Sequence, residues 1–317
     1  MLLLLRDDIR SGLAQLPATY RDKHLRWLIS RQQAEGGFAN RRGNVDLYYT
    51  AFALRGLSVL QSLTPESARA AAGLLLARMR QPEALRIKQP GGAFCDAVLA
   101  ASWWDALALC EEILGPQLAA EESADARQAT LARLAALRRP DGGYAKTDID
   151  ASGSLYHTFL AAAVCLRLGT ALPEPERALA FARSLAQPTG GFRENRHART
   201  PGTNGSAAGV ALGVLLGETG RVEEHASFLA AMQDEDGGFR ATPAAPLADL
   251  LSTCTALFTL KLLGKLAGPA AERAAQFARS LEQAGGGYTG FALDSVPDCE
   301  YTFYGLASEG LAAASAT

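Results

Sequence analysis

Three side chains stand where helix starts could carry acid, base or ligand chemistry: Asp105 in "SWWDALAL", His157 in "LYHTFL" and Asp249 in "LADLLSTC". Asp105 follows Trp103 and Trp104. A carboxyl stripped of water by aromatic neighbours rises in pKa and can donate a proton; ionised, it can stabilise a cation. An acid in the first turns of a helix is also favoured by the helix dipole alone. The aspartate at 249 recurs as Asp46 and Asp298, each four residues before a threonine, a position that helix capping explains. These helices align on one hydroxyl-rich column, Thr50, Asp105, Thr158, Ser206, Thr253 and Thr302.

Positive charge gathers just before two of the same helices. The segment "GGFRENRHARTPG" offers Arg193, Arg196, His197 and Arg199, and "GGFANRRG" offers Arg41 and Arg42. Cations beside a helix N-terminus suit an anion such as a diphosphate, because backbone N–H groups point outward there. Solvated loop charge accounts for the same residues without a ligand.

The elements that must position these residues repeat along the chain. Gly-Gly pairs begin at 36, 91, 142, 190, 237 and 286, in steps of 55, 51, 48, 47 and 49 residues. A near-constant period decides the architecture before any local reading. An amphipathic helix precedes each pair, as in "PERALAFARSLAQ" and "AERAAQFARSLEQ", with its charges on one face. The glycines end it, since a left-handed residue after the last turn is cheapest for Gly. A second helix follows that is apolar nearly all round, such as "LYYTAFALRGLSVL" or "STCTALFTLKLLG", so protein surrounds it. Six outer-inner hairpins without polar capping repeats predict a closed ring, an all-α α/α toroid of about twelve helices in one domain spanning 1–317. Strands are hardly signalled.

Bulk composition fits this. The chain has 317 residues, 48% hydrophobic and 20% charged, with net charge -2, which describes a globular protein and excludes a basic nucleic-acid binder. The start "MLLLLRDDIR" has too few apolar residues for a signal-peptide core or a membrane span, so a cytoplasmic protein is expected. Cys95, Cys110, Cys165, Cys254 and Cys299 form no C-x-x-C pair and are odd in number, which argues against a disulfide framework.

The signal at Gln33 to Phe38, with "RRPDGGY", "AQPTGGF", "MQDEDGGF" and "EQAGGGY", each before an apolar helix, resembles protein prenyltransferase β subunits and terpene cyclases such as squalene-hopene cyclase. The resemblance covers nearly the whole chain. It implies a central cavity for an isoprenoid or its diphosphate, lined by aromatics: here Tyr48, Tyr49, Phe52, Trp103, Trp104, Tyr156, Phe159, Phe258, Tyr301, Phe303 and Tyr304. Aromatic faces suit an allylic tail and any carbocation it becomes.

The resemblance also implies a catalytic zinc in the transferases. Carried over position by position, its aspartate ligand falls on Asp249, but its cysteine falls on Leu251 and its histidine on Tyr301. The diphosphate-binding histidine of the fourth repeat falls on Thr200, beside Arg199. The cyclase motif D-x-D-D-T is absent; Asp148 and Asp150 in "TDIDASGS" lie too far upstream. The expectation is therefore prenyl transfer or a related isoprenoid conversion. In it Arg193, Arg196, Arg199 and Arg41 hold the diphosphate, Tyr49, Trp104, Tyr156, Tyr301 and Phe303 hold the tail, and Asp249, His157 and Asp105 supply polar chemistry. A metal-free terpene cyclase using Asp105 as its acid is one alternative. A non-catalytic lipid-binding or partner-binding scaffold is another. An α-like protein subunit, as β subunits have, is the partner the resemblance suggests.

Overall fold

The computed structural model describes residues 2–79, 97–116, 118 and 123–315. The chain runs through α1 (Leu2–Gln15), α2 (Ala18–Ser30), α3 (Leu47–Val59), α4 (Pro65–Met79), α5 (Ala97–Leu114), α6 (Ser123–Leu137), α7 (Leu155–Arg167), α8 (Pro175–Leu185), α9 (Thr203–Leu215), α10 (Val222–Ala230), α11 (Leu250–Leu262), α12 (Gly268–Ser280) and α13 (Cys299–Ala313). The odd-numbered helices from α3 onward are the apolar ones. Each packs against the next, and α13 returns to α3, so the inner ring closes. The even-numbered helices form the outer layer, and the fold is an α/α toroid.

Local chemistry explains how each repeat turns inward. After the glycines, the backbone N–H of Phe38, Tyr144, Phe192, Phe239 or Tyr288 donates to a hydroxyl one turn into the next inner helix: Thr50 at 2.8 Å, Thr158, Ser206 and Thr253 at 2.9 Å, and Thr302 at 3.2 Å. Each hydroxyl in turn donates to the carbonyl four residues earlier, as Thr50 does to Asp46 at 2.7 Å. The hydroxyl column is thus a set of structural clasps, because a buried N–H must find an acceptor. Asp105, aligned with it from sequence, has other partners, described below. The glycines are needed for close approach as well as conformation: at Gly190 φ is +93°, and a Cβ would fall 1.9 Å from the carbonyl oxygen of Glu224 on the next outer helix. The pair Gly91-Gly92 and Cys95 lie outside the described residues. Two-residue antiparallel strand pairs, Phe38–Ala39 with Val45–Asp46 and Phe239–Arg240 with Ala248–Asp249, tie two of the loops to the caps of their inner helices.

Among the described residues one helix exceeds the expected twelve. Helix α1 lies across the C-terminal ends of the inner helices. Arg10 donates to the carbonyl and hydroxyl of Ser58 at 3.1 and 3.0 Å, Arg6 pairs with Glu112 at 2.6 Å, and Lys261 pairs with Asp8 at 3.1 Å. Leu5, Ile9 and Leu13 are buried beneath it. The apolar start of the chain is therefore a plug over one end of the ring. The Gly-Gly loops occupy the other end, where Leu155 N–H donates to Glu194 O, Thr203 N–H to Ala241 O and Leu250 N–H to Gly290 O from loop to loop.

Candidate functional site in the ring interior

Inner-helix periodicity decides which side chains face the centre. On α3 the face Tyr48, Phe52 and Arg55 points inward; on α7 the half-exposed stripe Tyr156, Leu160, Ala163 and Arg167 does the same at helical spacing. Helix α13 adds Glu300 and Tyr304, and α5 adds Asp105. Tyr48 and Tyr304 both donate to Glu300 Oε1, at 2.6 and 3.3 Å. Phe52 packs on Phe303 and Tyr304, with ring centroids 5.8 and 5.3 Å apart. The Arg55 guanidinium stands 4.6 Å from the Phe52 ring centroid, a cation over an aromatic face.

Asp105 sits between two arginines. Arg55 Nε donates to Oδ2 at 2.6 Å, and Arg167 Nη2 donates to Oδ1. Burial alone would raise its carboxyl, but Arg55 and then Arg167 bring it down to about 2. This corrects the expectation of a proton-donating Asp105: near neutral pH it is an ion with no proton to give. Glu300 is the opposite case. Burial raises its carboxyl above the ordinary Glu value, and that outweighs the hydrogen bond from Tyr48.

The remaining expected residues distribute as follows. Trp104 turns away from the centre, its indole N–H donating to Thr130 Oγ1 on α6 at 3.1 Å, so it belongs to the outer packing. Asp249 caps α11: its Oδ1 accepts from Ser252 N–H at 2.7 Å and its Oδ2 from the Ser252 hydroxyl at 2.8 Å. His157 Nδ1 is 2.7 Å from Ser154 Oγ at the start of α7. Arg41 is engaged by two carboxylates, Asp294 at 2.7 Å and Asp298 at 2.6 Å, and stacks 5.4 Å from the Tyr301 ring centroid. It joins the last repeat's loop to the first. Tyr49 and Tyr301 stand beside this junction, half-buried, with burial pushing each phenol up to about 12. Phe303 is buried, and Tyr156 is 39% exposed at the loop end of the interior. In the fourth loop Arg193 is half-buried, while Arg196 and Arg199 are exposed and Arg196 Nε donates to His197 Nε2 at 3.1 Å. Asp148 pairs with Arg133 at 2.6 Å and Asp150 accepts from Thr147, so that acidic stretch is held within its own repeat.

Zinc finds no suitable donor set here. Asp249 spends both oxygens on Ser252, its sequence companions are Leu251 and Tyr301, and no cluster of three or more His, Cys, Asp or Glu exists among the described residues. The nearby thiols Cys254 and Cys299 are buried, and burial pushes each up to about 12, away from the thiolate form that zinc binds. The arginines of the interior and Glu300 escaped sequence reasoning. Their signal was present: "FALRGL" and "VCLRLG" each place one arginine in a helix otherwise apolar all round.

The comparisons with known proteins agree with this architecture. The structure resembles Candida albicans protein geranylgeranyltransferase-I complexed with GGPP at TM-score 0.61 and 14% identity, covering 96% of this chain and 90% of that one. It resembles the type II terpene cyclase MstE from Scytonema at TM-score 0.62 and 16% identity, covering 96% and 98%. A variant of that cyclase in complex with geranylgeranyl dihydroxybenzoate gives TM-score 0.59 and 16% identity, covering 98% and 99%. No curated protein matches the sequence significantly. Among the described residues no helix is long and apolar enough to cross a membrane. The sequence of residues 9–85 and 103–316 matches the Prenyltransferase alpha-alpha toroid domain, and with that match spanning most of the chain, the protein belongs to this family.

Proposed function

We propose that the chain binds an isoprenoid with its hydrocarbon tail in the ring interior and converts it. The observation that carries this reading is the aromatic wall formed by Tyr48, Phe52, Phe303 and Tyr304, closed below by α1. Aromatic faces bind apolar chains and lower the energy of a passing carbocation. Similarity to proteins whose structures hold GGPP or geranylgeranyl dihydroxybenzoate supports the same ligand class.

Of the conversions open to such a ligand, zinc-assisted transfer to a thiol lacks its ligands. For proton-initiated cyclisation we assign the acid to Glu300, which lies beside the aromatic wall and whose carboxyl burial raises above the ordinary Glu value. In that reaction the Glu300 carboxyl gives its proton to a carbon of a substrate alkene. The cation left on the neighbouring carbon is attacked by the next alkene, a C–C bond forms, and loss of a proton from the final cation balances the one supplied. The product is an isomer of the substrate. Tyr48 and Tyr304 orient Glu300 through its Oε1.

The test is incubation of purified protein with geranylgeranyl diphosphate and with a geranylgeranyl arene carboxylate, followed by chromatography and mass spectrometry. A product of unchanged mass and shifted retention, lost in Glu300→Gln, supports cyclisation. Free diphosphate with prenylated acceptor would establish transfer. Bound, unchanged ligand would make the protein a carrier or scaffold.

A further inference from the structure

The Arg55–Asp105–Arg167 cluster is more than an internal strut. Two guanidinium groups face one carboxylate, so the trio carries a surplus positive charge. Their side chains are 16%, 14% and 18% exposed in the order Arg55, Asp105 and Arg167. Removing charge from water is costly unless it is paired, and a pair with one partner in excess leaves that cost unmet. Asp105 takes only Nε of Arg55 and Nη2 of Arg167; the remaining guanidinium nitrogens make no hydrogen bond to another described residue. Glu112, on the same helix as Asp105, is taken by Arg6 of α1; burial raises the Glu111 carboxyl above its ordinary value, while the nearby charge of Arg167 pulls it back down. The phenols of Tyr156 and Tyr304 are near enough to act on the charge of Arg55.

We propose that Arg55 and Arg167 form a binding site for the anionic head group of the substrate, a carboxylate or phosphate oxyanion. Asp105 fixes the two forks so that their outer N–H groups converge on it. The inference rests on the isoprenoid reading above and adds the head-group class and its direction. Arg55 lies seven residues beyond Tyr48, about 10 Å further along α3. The head therefore enters first and lies toward α1, while the tail extends back past Phe52 toward Tyr48 and Glu300. Guanidinium groups suit this because their planar forks bind carboxylate and phosphate through paired bonds.

Calorimetric titration of the full chain with geranylgeranyl diphosphate, geranylgeranoic acid and neutral geranylgeraniol tests it. The two anions are expected to bind at least about ten-fold more tightly than the alcohol, the worth of one or two charge-assisted bonds. Arg55→Gln and Arg167→Gln each remove that advantage, so that the anions bind no more tightly than the alcohol does to the same variant. Equal affinity for all three ligands in the unaltered protein overturns the head-group site and leaves isoprenoid binding standing, and this comparison needs no variant to fold. Binding of none overturns both. Preference for only the diphosphate or only the carboxylate supports the site and identifies which oxyanion fills it.

Discussion

Gly12 of α1 crosses Gly310 of α13 so closely that a Cβ on Gly12 would fall 1.8 Å from the Gly310 carbonyl oxygen. The reciprocal Cβ on Gly310 would lie 2.6 Å from the carbonyl of Ile9. Both obstacles are backbone and cannot rotate away. Gly12→Val is therefore expected to lift α1 from the ring and cost at least about 1–3 kcal/mol, the usual penalty of overpacking. Urea unfolding measures the loss, and faster amide exchange near the end of α13 would locate it. Unchanged stability would mean that α1 does not rest on α13 in solution.

Asp105 makes stability depend on acid pH in a defined direction. Its folded pKa, about 2, lies below the unfolded value near 3.9. The stabilisation is fully present above the unfolded value and is lost as pH falls through the folded one, and it amounts to about 2–3 kcal/mol. Asp105→Asn should thus be less stable than the unaltered protein at pH 6, with the gap narrowing toward pH 2. A gap independent of pH would show that Asp105 is not held ionised by its arginines.

The hydroxyl clasps should tolerate serine and resist valine. Phe239 N–H donates to Thr253 Oγ1 at 2.9 Å in a buried setting. Thr253→Val keeps the shape but leaves that N–H without an acceptor, at a cost of about 1–3 kcal/mol. Thr253→Ser retains the bond and should cost much less. Chemical denaturation of the two variants decides it, and equal losses would assign the effect to packing.

Glu300 has a raised pKa, so the sign is reversed. The folded state favours its protonated form, and the penalty for ionising it grows as pH rises above the unfolded value of about 4.3. Glu300→Gln, whose amide oxygen can still accept from Tyr48, should melt higher than the unaltered protein at pH 7 and equally at pH 4. Conversion of substrate should be lost in the same variant. A lower melting temperature at pH 7 would show that the carboxylate is stabilised rather than strained.

Metal removal should change nothing. Dialysis against a chelator is expected to leave both the melting temperature and isoprenoid affinity as they were, because Asp249 is occupied as a helix cap. Loss of binding that zinc restores would reveal a donor set assembled in another conformation.

The ring was legible because its signals are local: glycine pairs, capping aspartates and a switch from amphipathic to wholly apolar helices all lie within a few residues of one another. The interior was not. Trp104 and Asp105 adjoin in sequence, yet successive residues on a helix point about 100° apart. Trp104 reaches Thr130 on the outer layer, while Asp105 meets arginines 50 and 62 positions away. Its pKa is therefore set by residues no local reading contains. Arg41 misled for a related reason, since the carboxylates that occupy it stand more than 250 positions away and meet it only when the ring closes. Helix α1 was hidden by length: a leucine run too short for a bilayer is still enough, with Ile9 and Leu13 four residues apart, to make one buried helical face.

That helix also governs traffic. With α1 packed across the C-terminal ends of α3, α11 and α13, a guest bound as proposed would enter and leave by the loop end. A guest seated as proposed, head toward α1, would leave tail-first, and the next could not follow until it had gone. Turnover becomes a queue of one, in which a product more rigid than its flexible precursor would set the pace by its departure.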